Sequence, residues 1–170
     1  ENHHTISVAL FCENGTVKTF WMGEKLREHP IRFGTATLAK SIEIDELKIN
    51  SNKLMKALRY TGICEIEYLW NPSKKEYQLI EINARTWLWV GLAKTCGIDF
   101  AKIAYDYVND NKISYPDTYL KGVYWFNPIT NLFFTFIGFI KGHIKLRSIL
   151  ALLFKKKNNS VKIKKLKSIG

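Results

Sequence analysis

Residues 6–12 (ISVALFC) form an apolar, β-prone run, and a second run covers Thr16–Met22 (TVKTFWM). Between them stands Glu13-Asn14-Gly15. Asn-Gly joining two strand-like runs is a strong hairpin signal, because both central residues of a tight two-residue turn need positive φ. Residues 23–34 (GEKLREHPIRFG) lose the alternation. Pro30, bounded by Gly23 and Gly34, predicts a loop carrying Lys25, Arg27 and Arg32. Residues 35–42 read as another strand. Over 46–61, Leu47, Leu54, Met55 and Leu58 share one helical face, with Gly62 as the stop.

Alternation returns over 63–70 (ICEIEYLW) and 77–83 (YQLIEIN), separated by the polar turn Asn71-Pro72-Ser73-Lys74-Lys75-Glu76. This predicts a second antiparallel hairpin. Glu65 and Glu67 share one face, as do Glu81 and Asn83. Ile63, Ile66, Ile80 and Ile82 are assigned to the opposite, buried face. Residues 86–96 and 99–109 read as two helices split by Gly97-Ile98, with Asp99 as N-cap of the second. Pro116 opens a loop, and 119–127 reads as a last short strand. No repeat of 20–50 residues is visible. Strands and helices in mixed order, with hairpins, predict an α+β fold.

Composition adds bounds. The chain has 170 residues, 46% hydrophobic and 14% aromatic, which excludes a mainly disordered chain. Lys and Arg number 26 against 15 acids, a net charge of +11 that calls for an anionic partner. Seven lysines fall within 155–167, with no acid; without them the net charge is +4. Before that tail lie the apolar runs Leu132–Ile140 and Ile144–Phe154, with Lys141, His143, Lys145 and Arg147 breaking the stretch. A spanning helix needs roughly 20 apolar residues, so none is expected. A core helix with a solvated tail is the favoured reading of 132–170; a basic amphipathic stretch on an anionic membrane surface is the other. Cys12, Cys64 and Cys96 are too few and too far apart for a zinc site or a disulfide framework, and they fit a reducing, cytoplasmic setting. Cys64, on the face opposite Glu65, and Cys96 read as core residues. No signal peptide precedes Ser7, and the absence of an initiator Met fits a piece of a longer chain. His3, His4, His29 and His143 have no partner at catalytic spacing.

The chemistry concentrates in the second hairpin. If its strands pair, Glu65, Glu67, Glu81 and Asn83 converge on one sheet face. Such a face is either solvated or holds a positive charge between the acids. Mg²⁺ suits it, being a hard ion that shares a few protein oxygens with phosphate oxygens. Arg85 follows at once, and metal plus arginine is what phosphoryl transfer needs. Trp87 and Trp89 serve either core packing or a substrate pocket.

Glu67, a turn, and then Leu79-Ile80-Glu81-Ile82-Asn83-Ala84-Arg85 resemble the C-terminal half of the ATP-grasp fold. Biotin carboxylase, carbamoyl-phosphate synthase and D-alanine–D-alanine ligase look like this. D-aspartate ligases and related carboxylate–amine ligases are more similar still. Their ordered features are matched by the first hairpin, Glu24–Pro30, Phe33-Gly34-Thr35, the helix at 46–61, Glu65–Tyr68, Leu79–Arg85 and Thr86-Trp87-Leu88. The resemblance spans roughly residues 1–110. It implies a C-terminal ATP-grasp subdomain over 1–118, an apolar strand/helix extension over 119–154 and a flexible Lys-rich tail over 155–170.

The resemblance also implies an ADP-forming ligase that uses ATP and Mg²⁺ (or Mn²⁺). A small-molecule carboxylate becomes an acyl phosphate, which an amine such as an amino acid then attacks. Glu67, Glu81 and Asn83 would be metal ligands, with Glu81, Asn83 and Lys25 binding the nucleotide. Arg85 would stabilise the phosphoryl group, with Lys25 and Arg27 in a loop over the phosphates. Glu65 would support Glu67 or meet the amine. The N-terminal ATP-grasp half would precede Glu1 in the same polypeptide, leaving this chain inactive alone. Two rival readings are an inactive ATP-grasp remnant and a basic module binding nucleic acid or a membrane surface. Nucleic acid is disfavoured, because the lysines cluster in the tail rather than among the 23 aromatics.

Overall fold

The computed structural model describes residues 5–29, 34–130, 133 and 137. His3, His4, His143 and the Lys-rich tail lie outside them, as does the His29 side chain. The elements are β1 (Thr5–Glu13), β2 (Thr16–His29), β3 (Thr35–Ile42), α1 (Asp45–Leu58), β4 (Gly62–Asn71), β5 (Glu76–Asn83), α2 (Gly91–Thr95), α3 (Phe100–Val108) and β6 (Tyr124–Phe126). The strands make one antiparallel sheet in the order β5-β4-β1-β2-β3-β6. With its flanking helices this is the expected α+β architecture. Among the described residues no helix is long and apolar enough to cross a membrane.

β1 lies in the middle and is covered on both sides, which explains its unbroken apolar sequence. Val8, Leu10 and Cys12 pack with Leu47 and Met55 of α1 on one face. Ala9 and Phe11 pack under Trp87, Trp89 and α3 on the other. The hairpin turn forms as expected, with Asn14 at φ 45° and Gly15 at φ 79°. Gly15 donates its N–H to Tyr60 O at 2.8 Å, and an added Cβ would sit 3.0 Å from Met55 O. The turn is thus pressed against the C-terminus of α1.

Five expectations need correction. Residues 23–29 are not a loop: β2 runs on to His29, with an irregular register around Leu26, and ends before Pro30, which cannot extend a ladder. α1 is not stopped by Gly62; Arg59 adopts the left-handed conformation that closes the helix, and Gly62 begins β4. Residues 86–90 are not helical, because Trp87 and Trp89 turn back onto the sheet and leave only α2 as regular helix. Ile63 shares the face of Glu65 and packs against the tryptophan cluster. Ile82 is 37% exposed, since β5 is an edge strand with nothing described outside it. Asp99 does cap α3, accepting from Lys102 N at 3.1 Å.

The described chain divides into two units, Glu1–Phe126 and Asn127–Gly170. In the second, Asn127 Oδ1 accepts from Thr130 N at 3.2 Å, so Asn127 caps a helix with Pro128 in its first turn.

Candidate functional site

Strand register brings the polar residues together. Gly23 of β2, Ser7 of β1, Glu67 of β4 and Glu81 of β5 lie side by side in one row across the sheet. Trp21, Ala9, Glu65 and Asn83 make the next row. Between the strands a bulge leaves Ile80 without a partner: Glu67 faces Glu81, but Tyr68 faces Leu79. A bulge re-aims the residues beside it, and here it sits next to the acidic pair.

Two carboxylates directly opposite each other repel. Lys25 answers one of them. Its Nζ lies 2.7 Å from Glu67 Oε1 and donates a longer bond to Gly34 O at 3.3 Å. Lys25 and Glu67 are both buried, at 7% and 8% exposure. Lys25 therefore occupies the sheet face itself, while Arg27, also on β2, is not among the residues lining the cleft described below.

Glu65 is more deeply set, at 2% exposure. Burial pushes its carboxyl up to about 7, and the neighbouring charge of Glu67 adds to this. Ser7, Lys25 and Arg85 oppose the shift. The Ser7 hydroxyl is close enough to act on Glu65, yet neither Ser7 Oγ nor Glu65 Oε1 has a partner in hydrogen-bond geometry. The other oxygen, Oε2, accepts a long bond from Asn83 Nδ2 at 3.5 Å. That leaves the Asn83 amide oxygen outside this contact.

Lys25, Glu65, Glu67, Glu81 and Asn83 line an open cleft of about 170 Å³, together with Gly34, Thr35, Ala36, Arg85, Trp87, Leu88 and Trp89. Glu81 and Arg85 are exposed, and the Arg85 guanidinium donates to the Thr86 carbonyl at 3.1 Å. The wall is aromatic. Trp21 stacks on Trp87 at 6.0 Å between centroids and meets Trp89 edge-on at 5.3 Å. Gly23 makes this possible: a Cβ there would lie 2.5 Å from Trp89 Cζ3. The hairpin pattern brought Glu65, Glu67, Glu81, Asn83 and Arg85 together. It missed the contact between Lys25 and Glu67, the part played by Ser7 and the clearance at Gly23. The one available signal was a glycine set in an aromatic strand, FWMGEK.

Among the described residues no three His, Cys, Asp or Glu side chains are gathered for a metal. The donor set is instead two facing carboxylates and an amide oxygen. That is enough for Mg²⁺, which takes one or two carboxylates and completes its shell with water and phosphate oxygens. The residues fit, provided Glu67 is released by Lys25.

Residues 16–113 match the family described as "Carbamoyl-phosphate synthase L chain, ATP binding domain". The chain belongs to this family, which is of the ATP-grasp type. The matched span includes Lys25, Glu65, Glu67, Glu81, Asn83 and Arg85. Solved structures share the fold. Rhizobium etli pyruvate carboxylase T882A with acetyl coenzyme A aligns over 72% of this chain and 13% of its own, with 16% identity and a TM-score of 0.57. Campylobacter jejuni biotin carboxylase in its β-γ-ATP complex aligns over 73% of this chain and 29% of its own, with 14% identity and a TM-score of 0.54. The biotin carboxylase domain of Hydrogenobacter thermophilus 2-oxoglutarate carboxylase, with MgADP and bicarbonate, gives the same shares, identity and TM-score. This ATP-grasp chain thus spans less than a third of the length of these neighbours. No curated protein matches its sequence.

Proposed function

We propose that this chain is the metal-binding half of an ATP-dependent, ADP-forming ligase that joins a carboxylate to an amine. The observation that carries the reading is the meeting of Glu67 and Glu81 in register, beside Asn83, with Lys25 and Arg85 in the same cleft. Membership of an ATP-binding family supports it, as do neighbours whose structures hold an ATP analogue or MgADP.

Glu67, Glu81 and the Asn83 amide oxygen would hold Mg²⁺, or Mn²⁺ in its place. The ion offsets repulsion between an anionic carboxylate and a triphosphate. Arg85, exposed and planar, is suited to two parallel hydrogen bonds with phosphoryl oxygens. Lys25, once off Glu67, supplies a second cation to the same phosphates. In the reaction a substrate carboxylate oxygen bonds to the γ-phosphorus as the bond to the ADP oxygen breaks. An amine nitrogen then bonds to the acyl carbon, the acyl–phosphate C–O bond breaks, and phosphate leaves with a proton lost from nitrogen. Adenine recognition and the remaining phosphate contacts would come from the other ATP-grasp half of the polypeptide.

The test is ADP release by the complete polypeptide with Mg-ATP and paired panels of carboxylates and L- and D-amino acids. ADP formed with one pair alone identifies the ligase and its substrates. Glu81→Gln then lowers turnover by about 100-fold or more, the scale of losing a principal charge-stabilising group. Near-normal turnover of this variant, or ADP release indifferent to every pair, refutes the reading.

A further inference from the structure

Three buried polar atoms lie outside hydrogen-bond geometry, two on residues lining the cleft, Glu65 and Trp87, and one on Ser7, which neighbours Glu67 in the sheet. Glu65 Oε1, Ser7 Oγ and Trp87 Nε1 are all buried, on residues 2%, 0% and 4% exposed. Register sets Ser7 beside Glu67 and next to Gly23, over which the Trp89 indole lies. Glu65 is one row further in, and with Trp87 and Trp89 it lines the cleft. Buried polar groups are rarely left unsatisfied, because each that lacks a partner loses its hydration without a hydrogen bond in return. A buried carboxyl oxygen on the cleft and a hydroxyl close to it, both outside hydrogen-bond geometry, suit a ligand group that donates to both.

We propose that Glu65, with Ser7, binds the amino group of the amine substrate; this rests on the ligase reading above. The charges of the cleft are sorted in a way that selects this occupant. Lys25 and Arg85 serve the anionic groups, so a carboxylate or phosphate placed against the free oxygen of Glu65 would be repelled. The metal is assigned to Glu67, Glu81 and Asn83, and Mn²⁺ binding by the Glu65 variant, below, tests that Glu65 stays outside its shell. The unpaired indole N–H of Trp87 has no lone pair to give a cation. An amino group, by contrast, has N–H groups to donate to Glu65 Oε1 and Ser7 Oγ, and its positive charge is favoured beside the carboxylates of the cleft. Held beside Glu67 and within the cleft that Arg85 lines, the nitrogen is next to where the acyl phosphate would form.

The experiment uses the complete polypeptide. Hydroxylamine with Mg-ATP and a carboxylate panel traps any acyl phosphate as a hydroxamate, its nitrogen displacing phosphate from the acyl carbon. This tests the ligase reading separately from the amine recess. L- and D-amino acids and short alkylamines are then the probes for the recess, and Mn²⁺ binding is followed by electron paramagnetic resonance. Glu65→Gln is expected to raise the KM for the amine about 10- to 100-fold, the range for a lost hydrogen bond to a charged group. The KM for Mg-ATP and Mn²⁺ binding are expected to change less than about two-fold. Ser7→Ala is expected to raise the amine KM about 3- to 10-fold, and it decides the matter should Glu65→Gln fail to fold. Weaker Mn²⁺ binding in Glu65→Gln would make Glu65 a metal ligand and overturn the proposal. So would equal changes in both KM values, or an unchanged amine KM in both variants. Hydroxamate formation with such results leaves the ligase reading standing; no hydroxamate from the unmodified protein removes both.

Discussion

Lys25→Met is the most informative single perturbation, because Lys25 is the buried cation on an acidic face. At 2.7 Å and an effective dielectric of about 20, its attraction to Glu67 is about 6 kcal/mol before desolvation is counted. Their side chains are only 4% and 11% exposed, so solvent screens little of this. Desolvation of both ions offsets much of the attraction in the intact protein, and the larger loss comes from leaving Glu67 buried and unpaired opposite Glu81. Removing one member of a buried pair costs about 3–5 kcal/mol, or a fall of roughly 10 °C in Tm for a chain of this size. Thermal unfolding of the 170-residue chain in EDTA measures it. Lys25→Met/Glu67→Gln should recover most of the loss, since neutralising both partners removes the stranded charge. Mg²⁺ should stabilise Lys25→Met more than the parent, because Glu67 is then free to bind it; at ten times Kd the gain is about 1.4 kcal/mol. A loss below about 1 kcal/mol, or a double variant as unstable as the single one, would refute the argument that Lys25 neutralises this site.

Gly23→Ala should destabilise the chain by about 1–3 kcal/mol by overpacking, since the new methyl falls 2.4 Å from Trp21 Cη2; near-UV circular dichroism should show the tryptophans displaced, and an unchanged spectrum would contradict the packing. Glu65 should make stability depend on pH. Its folded carboxyl, raised to about 7 from the ordinary 4.5, holds a proton that the unfolded chain has already released, so stability should fall between about pH 4.5 and 7, by up to about 3 kcal/mol. Unfolding midpoints of the parent minus those of Glu65→Gln across that range check both sign and size. Cys12 and Cys64 are fully buried, and burial pushes their thiols up to about 12; Cys96 is 1% exposed and also raised. Iodoacetamide at pH 8 should therefore modify none of the three in the native protein and all three in urea, as mass spectrometry would report.

The parts of this protein that follow from the chain alone are those set by local periodicity. Asn14-Gly15 signals the first hairpin, and alternation in EIEY and LIEIN puts Glu65, Glu67, Glu81 and Asn83 on one sheet face once the strands pair; that Glu67 faces Glu81 is set by the register and its bulge. What local pattern could not supply came from contacts between distant segments. Lys25 reads as a loop residue because Gly23 and Pro30 bracket it. Yet Gly23 is there to clear space for Trp89, sixty-six residues later, and Pro30 only ends the strand. The same rings explain why 86–90 is not helical. They are drawn back over Trp21 by aromatic burial that outweighs a weak helical tendency. Ile82 shows the converse: its pattern is that of a core residue, but β5 ends the sheet, so it is left part-exposed.

These departures share a location. The misplaced strand, the lost helix and the bulge at Ile80 all border the cleft. A regular β2 loop would have carried Lys25 away from Glu67, and a helix at 86–90 would have drawn Trp87 and Trp89 off the sheet. Instead a cation is buried against one of two facing carboxylates, while Glu65 Oε1 and Ser7 Oγ stay outside hydrogen-bond geometry. Folding alone gains nothing from either arrangement, since buried ion pairs return little net stability and unpaired polar groups cost it. Local rules fail where a site requires a different answer. Here that failure falls on Lys25 and Glu65, the buried ionisable residues beside the facing pair Glu67 and Glu81.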